Sequence, residues 1–331
     1  MDRPNPVTPQ LLAAVAVALL FAGFLPHLVS DFTSFQFTQA MAYGVALLGL
    51  NILTGYNGQF SIGHSAFYAV GAYTAAILLY HFEWNHYATL PVAALVAFAV
   101  GFLFGLPALR LEGLYLALAT FAFAVATPQL LKFDAFEHWT GGVQGLFVPK
   151  PEPLIEGLSA DQSLYYVTLA VMVLLMALAW CLLHSRSGRA MMAIRDNPIA
   201  ARTMGINTAL YKTTTFGISA MYTGIAGALS VFVTEFVAPD AFNFFLAVNL
   251  LIGSVVGGIV SIPGVIFGGL FLVFLPNFAQ DISRTYPFVP PPWAIFGIFL
   301  ILVIYFVPFG VWGAVERAFA WWKRRPAGSG R

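Results

Sequence analysis

The chain is poor in charge, and that shortage excludes more than any motif it contains. Only 9% of its 331 residues are Asp, Glu, Lys or Arg, against 60% hydrophobic, where soluble domains carry about 25% charged residues. A soluble globular fold is therefore ruled out. The formal net charge of +1 provides no basic field to gather nucleic acid. One cysteine, Cys181, lies inside an apolar run, so there is no disulfide framework and the residue reads as a small buried hydrophobe. No G-x-x-x-x-G-K-[ST] phosphate loop is present, and ATP hydrolysis by that route does not belong to this chain. H-E-x-x-H, G-x-S-x-G and metal-spaced Cys/His clusters are also missing. No carboxylate sits near the middle of an apolar run, where a charge costs about 2.5–3.5 kcal/mol and would mark an ion or proton path. Ion-coupled transport loses ground, and an external energy source gains it.

What the chain has in abundance is long apolar stretches. Windows of about 17–25 residues, the length that crosses a hydrocarbon core of about 30 Å, fall at 9–29, 37–55, 64–81, 88–108, 113–131, 163–183, 211–234, 242–260, 264–280 and 293–312. Runs such as Leu11 to Phe24 do not alternate as barrel strands do. The expected fold is an all-α polytopic membrane protein of about ten transmembrane helices, within eight to ten, in a single transmembrane domain over residues 1–331. The first run is long, Asp2 offsets Arg3, and no small-x-small cleavage pattern follows; it reads as a retained helix rather than a signal peptide. With the N-terminus inside, twelve of the fifteen Lys and Arg residues fall on one side: Arg3, Arg110, Arg186, Arg189, Arg195, Arg202, Lys212, Arg317, Lys323, Arg324, Arg325 and Arg331. Lys132, Lys150 and Arg284 fall on the other. By the positive-inside rule both termini and the 186–210 segment face the cytoplasm, and the long acidic 132–162 loop, with Asp134, Glu137, Glu152, Glu156 and Asp161, faces outward.

Two stretches interrupt this apolar pattern. GRAMMAIRDNPIAARTMGIN, residues 188–207, has mixed charge and helix-forming composition. Ser187 is expected to cap its start and Gly205 to stop it, with Pro198 dividing it into two short helices. Met191, Ile194, Ala201 and Met204 are expected against protein or membrane, and Arg189, Arg195, Asp196 and Arg202 pointing elsewhere, as on an interfacial helix with positive-inside anchors or, better suited to its length, internal position, methionines and mixed charge, a segment that docks a cytoplasmic partner. The second stretch, LNILTGYNGQFSIGHSAFYAVGAYTAA at 50–76, combines Gly55, Gly58, Gly63 and Gly71 with Asn51, Thr54, Asn57, Gln59, Ser61 and His64. Glycine at that density destabilises a helix by roughly 1 kcal/mol each. It marks a broken or re-entrant element, which is tolerated at membrane depth only against protein or a watery cavity. Gly58-Gln-Phe-Ser61-Ile62-Gly63 is echoed by Gly258-Ile-Val-Ser261-Ile262-Pro263-Gly264, and such paired interruptions in two halves point to a transporter path at a repeat interface. The candidate lining groups are Asn51, Gln59, Ser61, His64, Tyr68, Thr120 and Asn249. The Gly253-x-x-x-Gly257 and Gly264-x-x-x-Gly268 spacings read as tight helix packing.

TGYNGQFSIGHSAFYAVGAYTAA, GLYLALATFAFA at 113–124, TGGVQGL at 140–146, SGRAMMAIRDNPIAARTMGIN at 187–207 and the glycine-rich 253–270 segment occur in order over most of residues 40–310. Together they resemble the permease family of branched-chain amino-acid ABC importers. That resemblance implies a bacterial inner-membrane subunit paired with a sibling permease, two cytoplasmic ABC ATPases and a periplasmic binding protein. It implies no cofactor in this chain, with ATP and Mg held by the ATPases. The 187–207 segment then corresponds to the region that docks on an ATPase, with Arg189, Arg195, Asp196, Asn197, Ala200, Arg202 and Gly205 as coupling residues. The 132–162 loop with Thr140, Gly141 and Gly142 resembles the larger permease subunit, and the basic tail from Lys323 carries no fused ATPase. Branched-chain amino acids lead as solutes, in a family that also takes urea, short amides and small carboxylates. Two other classes stay open: a passive channel or secondary carrier for a small neutral solute such as urea or an amide, and an intramembrane enzyme using His64, Asp134 and His138.

Overall fold

The computed structural model describes residues 20–154, 157–285 and 291–324. The start of the expected 9–29 span lies outside the described residues, as do Arg3, Glu156, Arg325 and Arg331; the rest of that span is helical over 20–28 (α1). Helix α2 (Asp31–Leu50) runs on into a π-helical stretch, Asn51–Tyr56, and is followed by α3 (His64–Phe82), α4 (His86–Ala108) and α5 (Leu114–Leu131). A short α6 (Asp134–Thr140) and strand β1 (Leu146–Phe147) lead to α7 (Ala160–His184), then α8 (Arg186–Asp196), α9 (Pro198–Thr203) and α10 (Thr208–Thr234). Strand β2 (Phe236–Val237) and a 3-10 turn (Pro239–Phe242) precede α11 (Phe244–Gly257), α12 (Gly264–Thr285), α13 (Pro292–Phe306) and α14 (Gly310–Arg324).

Among the described residues, seven helices are long and apolar enough to cross a bilayer: α2 with its π extension, α3, α4, α5, α7, α10 and α12. The chain is an all-α polytopic membrane protein. Two of the expected spans are corrected. The 242–260 window holds a helix of 14 residues, α11, ended at Gly258, which at 1.5 Å per residue reaches only about 21 Å. The 293–312 window is divided, because α13 ends at Val307 and α14 begins at Gly310. Cys181, expected to be buried, is exposed on α7.

Helix α10 is the centre of the bundle, flanked by α4, α3 and α2; α2 in turn packs on α12 and α7, and α11 pairs with α12. Small residues explain these close crossings, since helices in lipid associate by van der Waals contact where backbones can approach. Gly71 of α3 backs directly onto Gly224 of α10, and Gly227 lies on the carbonyl of Tyr68. Gly101 and Gly105 of α4 meet Ala220 and Thr213. On α11 and α12, Gly257 faces Gly264 and Gly268 faces the carbonyl of Gly253, the packing that their four-residue spacing implied. A second core cluster centres on Phe67, whose ring meets Phe104, Phe123 and Phe216.

The two ends of the bundle differ. At the end opposite α8 and α9, β1 and β2 pair antiparallel, Leu146 with Val237 and Phe147 with Phe236. Lys150 holds this end together, bonding Asp161 at 2.9 Å and Glu235 at 3.0 Å. Partial burial works against its charge, but hydrogen bonds and Coulombic attraction from the two carboxylates outweigh that and raise its pKa above the ordinary lysine value. Helix α7 starts there with a capping box, Ser159 with Gln162. At the other end Lys212 of α10 pairs with Glu112 in the α4–α5 turn at 3.2 Å.

Valine in place of Gly71 would force α3 away from α10. Gly71→Val is expected to destabilise the fold by about 1–3 kcal/mol, read as a lower midpoint of thermal unfolding in detergent. Gly23→Ala is the control, because nothing lies within 4 Å of a Cβ there.

Candidate functional site

The site grows from the break at the end of α2. The amide of Asn51 leaves the helix face and donates from Nδ2 to the carbonyls of Gly258 and Ser261, both at 3.1 Å, while its Oδ1 accepts from the Ser254 hydroxyl. One turn on, Tyr56 donates its hydroxyl to the carbonyl of Val260 at 2.7 Å, and Gly55 lies flat against Ile259. The π-helical widening over Asn51–Tyr56 sits where these lateral bonds pull on the helix, and such widenings recur at functional positions. The carbonyls freed where α11 stops are thus satisfied by the side chains of α2 and its extension. This is what apolar surroundings require of interrupted backbone.

Residues 58–63 then return towards α3 without helical structure. Gly58 adopts φ +72°, open to glycine at no steric cost, and Gly258, at the corresponding point of the second interruption, adopts φ +116°. The likeness extends to the side chains: Ser61 accepts from the amide of Gly63, and Ser261 accepts from the amide of Gly264. The repeat expected from sequence is therefore matched by two linkers built alike. Beside the first of them lies a chain of hydroxyls. Ser219 of α10 donates to the carbonyl of Gly49 at 2.7 Å, so it accepts from His64 Nε2 at 2.7 Å, and His64 Nδ1 accepts from Ser61 at 3.1 Å. Thr120 of α5 accepts from the amide of Ile62, and Gln59 donates to the carbonyl of Lys212.

Five of the seven lining candidates, Asn51, Gln59, Ser61, His64 and Thr120, are therefore buried around the two linkers. His64 is fully buried and bonded to two hydroxyls. Tyr68 lies one turn further into α3, stacked on Tyr43 and tilted against Phe242, its buried hydroxyl without a partner. Asn249 joins none of these bonds and is exposed on α11. His138 and Asp134 are on α6, remote in the chain order of elements from His64 at the start of α3, and both are exposed.

The 188–207 stretch forms the two helices expected of it, divided at Asn197, which caps α9 by accepting from the amides of Ile199 and Ala200. The cap of α8 is Ser185 rather than Ser187, accepting from the amides of Ser187 and Gly188. Met191, Ile194 and Ala201 are buried, but Met204 is 82% exposed and Ile199 75%. The arginines turn back on the chain. Arg189 donates to the carbonyl of His184, Arg202 to the Thr208 hydroxyl, and Arg195 to Asp196 and to the carbonyl of Gly55. Ala200 and Gly205 are exposed beside Ile199 and Met204. Met204, expected against protein or membrane, is left uncovered by the bundle, and Ile199 gave no sequence signal because an aliphatic residue in a short helix looks like core. A recess of about 320 Å³, lined by Leu182, Ser187, Met191, Leu210, Tyr211, Thr214 and Ile218, lies between α7, α8 and α10.

A family model described as a permease component of the branched-chain amino acid transport system matches residues 32–308. The chain belongs to that family. The permease is 34% identical over 299 residues to the high-affinity branched-chain amino acid transport system permease protein LivM of Escherichia coli (strain K12), covering 83% of this chain and 70% of the relative. It is 25% identical over 301 residues to BraD of Pseudomonas aeruginosa, named as a permease of the same kind of system, covering 84% and 94%. To LivH of Escherichia coli (strain K12) the likeness is 32% over 142 residues, covering 43% of this chain and 44% of that one. The resemblance is thus of the LivM type over most of the permease. No solved structure matches the permease.

Asn51→Ala would remove the side-chain partner of the Ser261 carbonyl and of the Ser254 hydroxyl and leave the Gly258 carbonyl with only the Ser261 amide. The permease variant is expected to lose about 1–2 kcal/mol of stability, measured as a lower thermal midpoint in detergent, while Asn249→Ala leaves that midpoint unchanged.

Proposed function

We propose that the permease carries branched-chain amino acids, or close chemical relatives, into the cell by alternating access powered by two separate cytoplasmic ATPases. A sibling permease completes the membrane body, and a periplasmic binding protein delivers the solute. ATP and Mg belong to the ATPases, and this chain performs no hydrolysis. In this reading the chain lies in a bacterial inner membrane as one transmembrane domain, with both termini and residues 186–210 in the cytoplasm and the 132–162 loop outside.

The observation that carries the reading is the contact between α8 and the interrupted helices. A water-facing two-helix element is joined directly to the place where the membrane backbone is broken. A passive channel has no use for such an element, and the breaks hold no carboxylate of the kind an ion-coupled carrier commonly uses, only hydroxyls, amides and His64. Relatives named as transport permeases favour transport over catalysis. Ile199 and Met204 supply the apolar contact with an ATPase, and Arg189, Asp196, Asn197, Ala200, Arg202 and Gly205 shape the element that presents them. Asn51, Gln59, Ser61, His64, Thr120 and Tyr68 border the path from this chain, and Asn249, an amide exposed on an apolar helix, faces the sibling permease rather than lipid.

The test is uptake of labelled leucine by the four-subunit complex in liposomes with the binding protein outside. A catalytic-carboxylate substitution in the ATPases should reduce ATP-dependent uptake to background, and uptake that persists would support a channel or carrier instead. Ile199→Asp together with Met204→Asp should release the ATPases on affinity purification while the permease stays in the membrane fraction.

A further inference from the structure

The arginine expected to reach for a partner points the other way. Arg195 stands in the last turn of α8, whose inner face is fixed to the bundle through Ala190, Met191 and Ile194, all buried. Asp196 Oδ1 accepts from Arg195 Nε at 3.1 Å and from Nη2 at 3.0 Å. That grip aims the remaining nitrogen, Nη1, at the carbonyl of Gly55, 2.9 Å away. This carbonyl lacks its helical partner, because the amide of Gln59, which a continuing α-helix would offer it, bonds to Leu53 instead. Gly58 makes the approach possible, as a Cβ there would stand 2.8 Å from Arg195 Cγ. Beside it, the side-chain amide of Asn57 is buried with both its nitrogen and its oxygen unpartnered.

We infer that Arg195 is a positioning residue that transmits movement of α8 and α9 to the interrupted end of α2, by supplying the hydrogen bond that the broken helix cannot make for itself. The inference rests on the importer reading above. A charge-assisted bond to an otherwise unpaired carbonyl is strong enough to pull backbone and directional enough to lose its hold when α8 turns. When α8 moves, Gly55 follows, and through Tyr56 and Asn51 so does the 258–261 linker. Asn57 is the group placed to take up a new partner in the altered arrangement, since a buried unpaired amide favours any geometry that satisfies it. Asp196 is part of the device, because without it the guanidinium has no fixed direction.

The experiment compares Arg195→Gln, Arg195→Lys and Asp196→Asn with the parent in the reconstituted four-subunit complex, scoring three quantities: ATPase co-purification, ATP hydrolysis and leucine taken up per ATP hydrolysed. The expected result is full co-purification and continued hydrolysis in all three. For Arg195→Gln, leucine per ATP should fall about tenfold or more, the change that follows from losing one charge-assisted bond of about 1.5–3 kcal/mol. Arg195→Lys, with one nitrogen in place of a rigid fork to span the Asp196 carboxylate and the Gly55 carbonyl, should fall between. Loss of the ATPases from Arg195→Gln would overturn the inference by making Arg195 a docking contact, and so would an unchanged leucine-to-ATP ratio. If Arg195→Gln does not accumulate in the membrane, the Arg195→Lys and Asp196→Asn ratios decide in the same way. A parent complex that takes up leucine without ATP would instead refute the importer reading itself, a separate outcome.

Discussion

Two helices are broken inside an apolar body, and each break is made tolerable by the other. Backbone that leaves helical geometry in the hydrocarbon region exposes amides and carbonyls that lipid cannot satisfy. In this permease Asn51 and Tyr56 reach across to the carbonyls of Gly258, Ser261 and Val260. Ser61 and Ser261 close the amides at the starts of α3 and α12. The rest of the architecture follows from keeping these two breaks in register. Helix α10 supplies a buried post with small residues on several sides, and α2 and α3 stand against it at glycine contacts close enough for Ser219 to bond both His64 and Gly49.

A pair of breaks that share hydrogen bonds moves as one piece. The bonds of residues 58–63 run to three different elements: Thr120 on α5, Ser219 (through His64) and Lys212 on α10, and Arg195 on α8 through the neighbouring Gly55. Such a segment reports any displacement of the elements around it. The other end is tied differently, by Lys150 between Asp161 and Glu235 and by the short β1–β2 ladder. One end is therefore a clamp between α7 and α10, and the other a linkage into the breaks.

Most of the helical frame was legible in the amino-acid order because apolar length is a direct requirement of the bilayer, and the windows near 37–55, 64–81, 88–108, 113–131, 163–183, 211–234 and 264–280 correspond to long helices. The windows at 242–260 and 293–312 were overread because hydropathy does not register where a helix stops. Gly258 ends α11, and Val307–Phe309 separates α13 from α14. The glycine-rich break was readable from composition, as was its echo. What composition could not show is direction in space. Asn51 finds its partners more than two hundred residues away, His64 lies far deeper than its place beside a polar linker suggested, and Arg195 turns inward although charge in a water-facing helix normally points out. Ile199 escaped notice for the converse reason, being an apolar residue that the fold leaves uncovered, and Met204, expected against protein or membrane, is uncovered as well. Asn249 shared the polarity of the other candidates but not their location.

The account makes the two breaks a single moving part of the permease, and a distance measurement reaches that claim directly. Phe60 and Val260 are both exposed and lie one on each linker, so spin labels at Phe60→Cys and Val260→Cys, in a Cys181→Ser background, report their separation by pulsed electron resonance. In the proposed complex with its ATPases, trapping those with a nucleotide analogue should shift each linker relative to a label on the α10–α4 core while leaving the separation between the two linker labels narrow and unchanged. Linkers that move apart from each other, or that stay fixed against α10 through the nucleotide cycle, would contradict it.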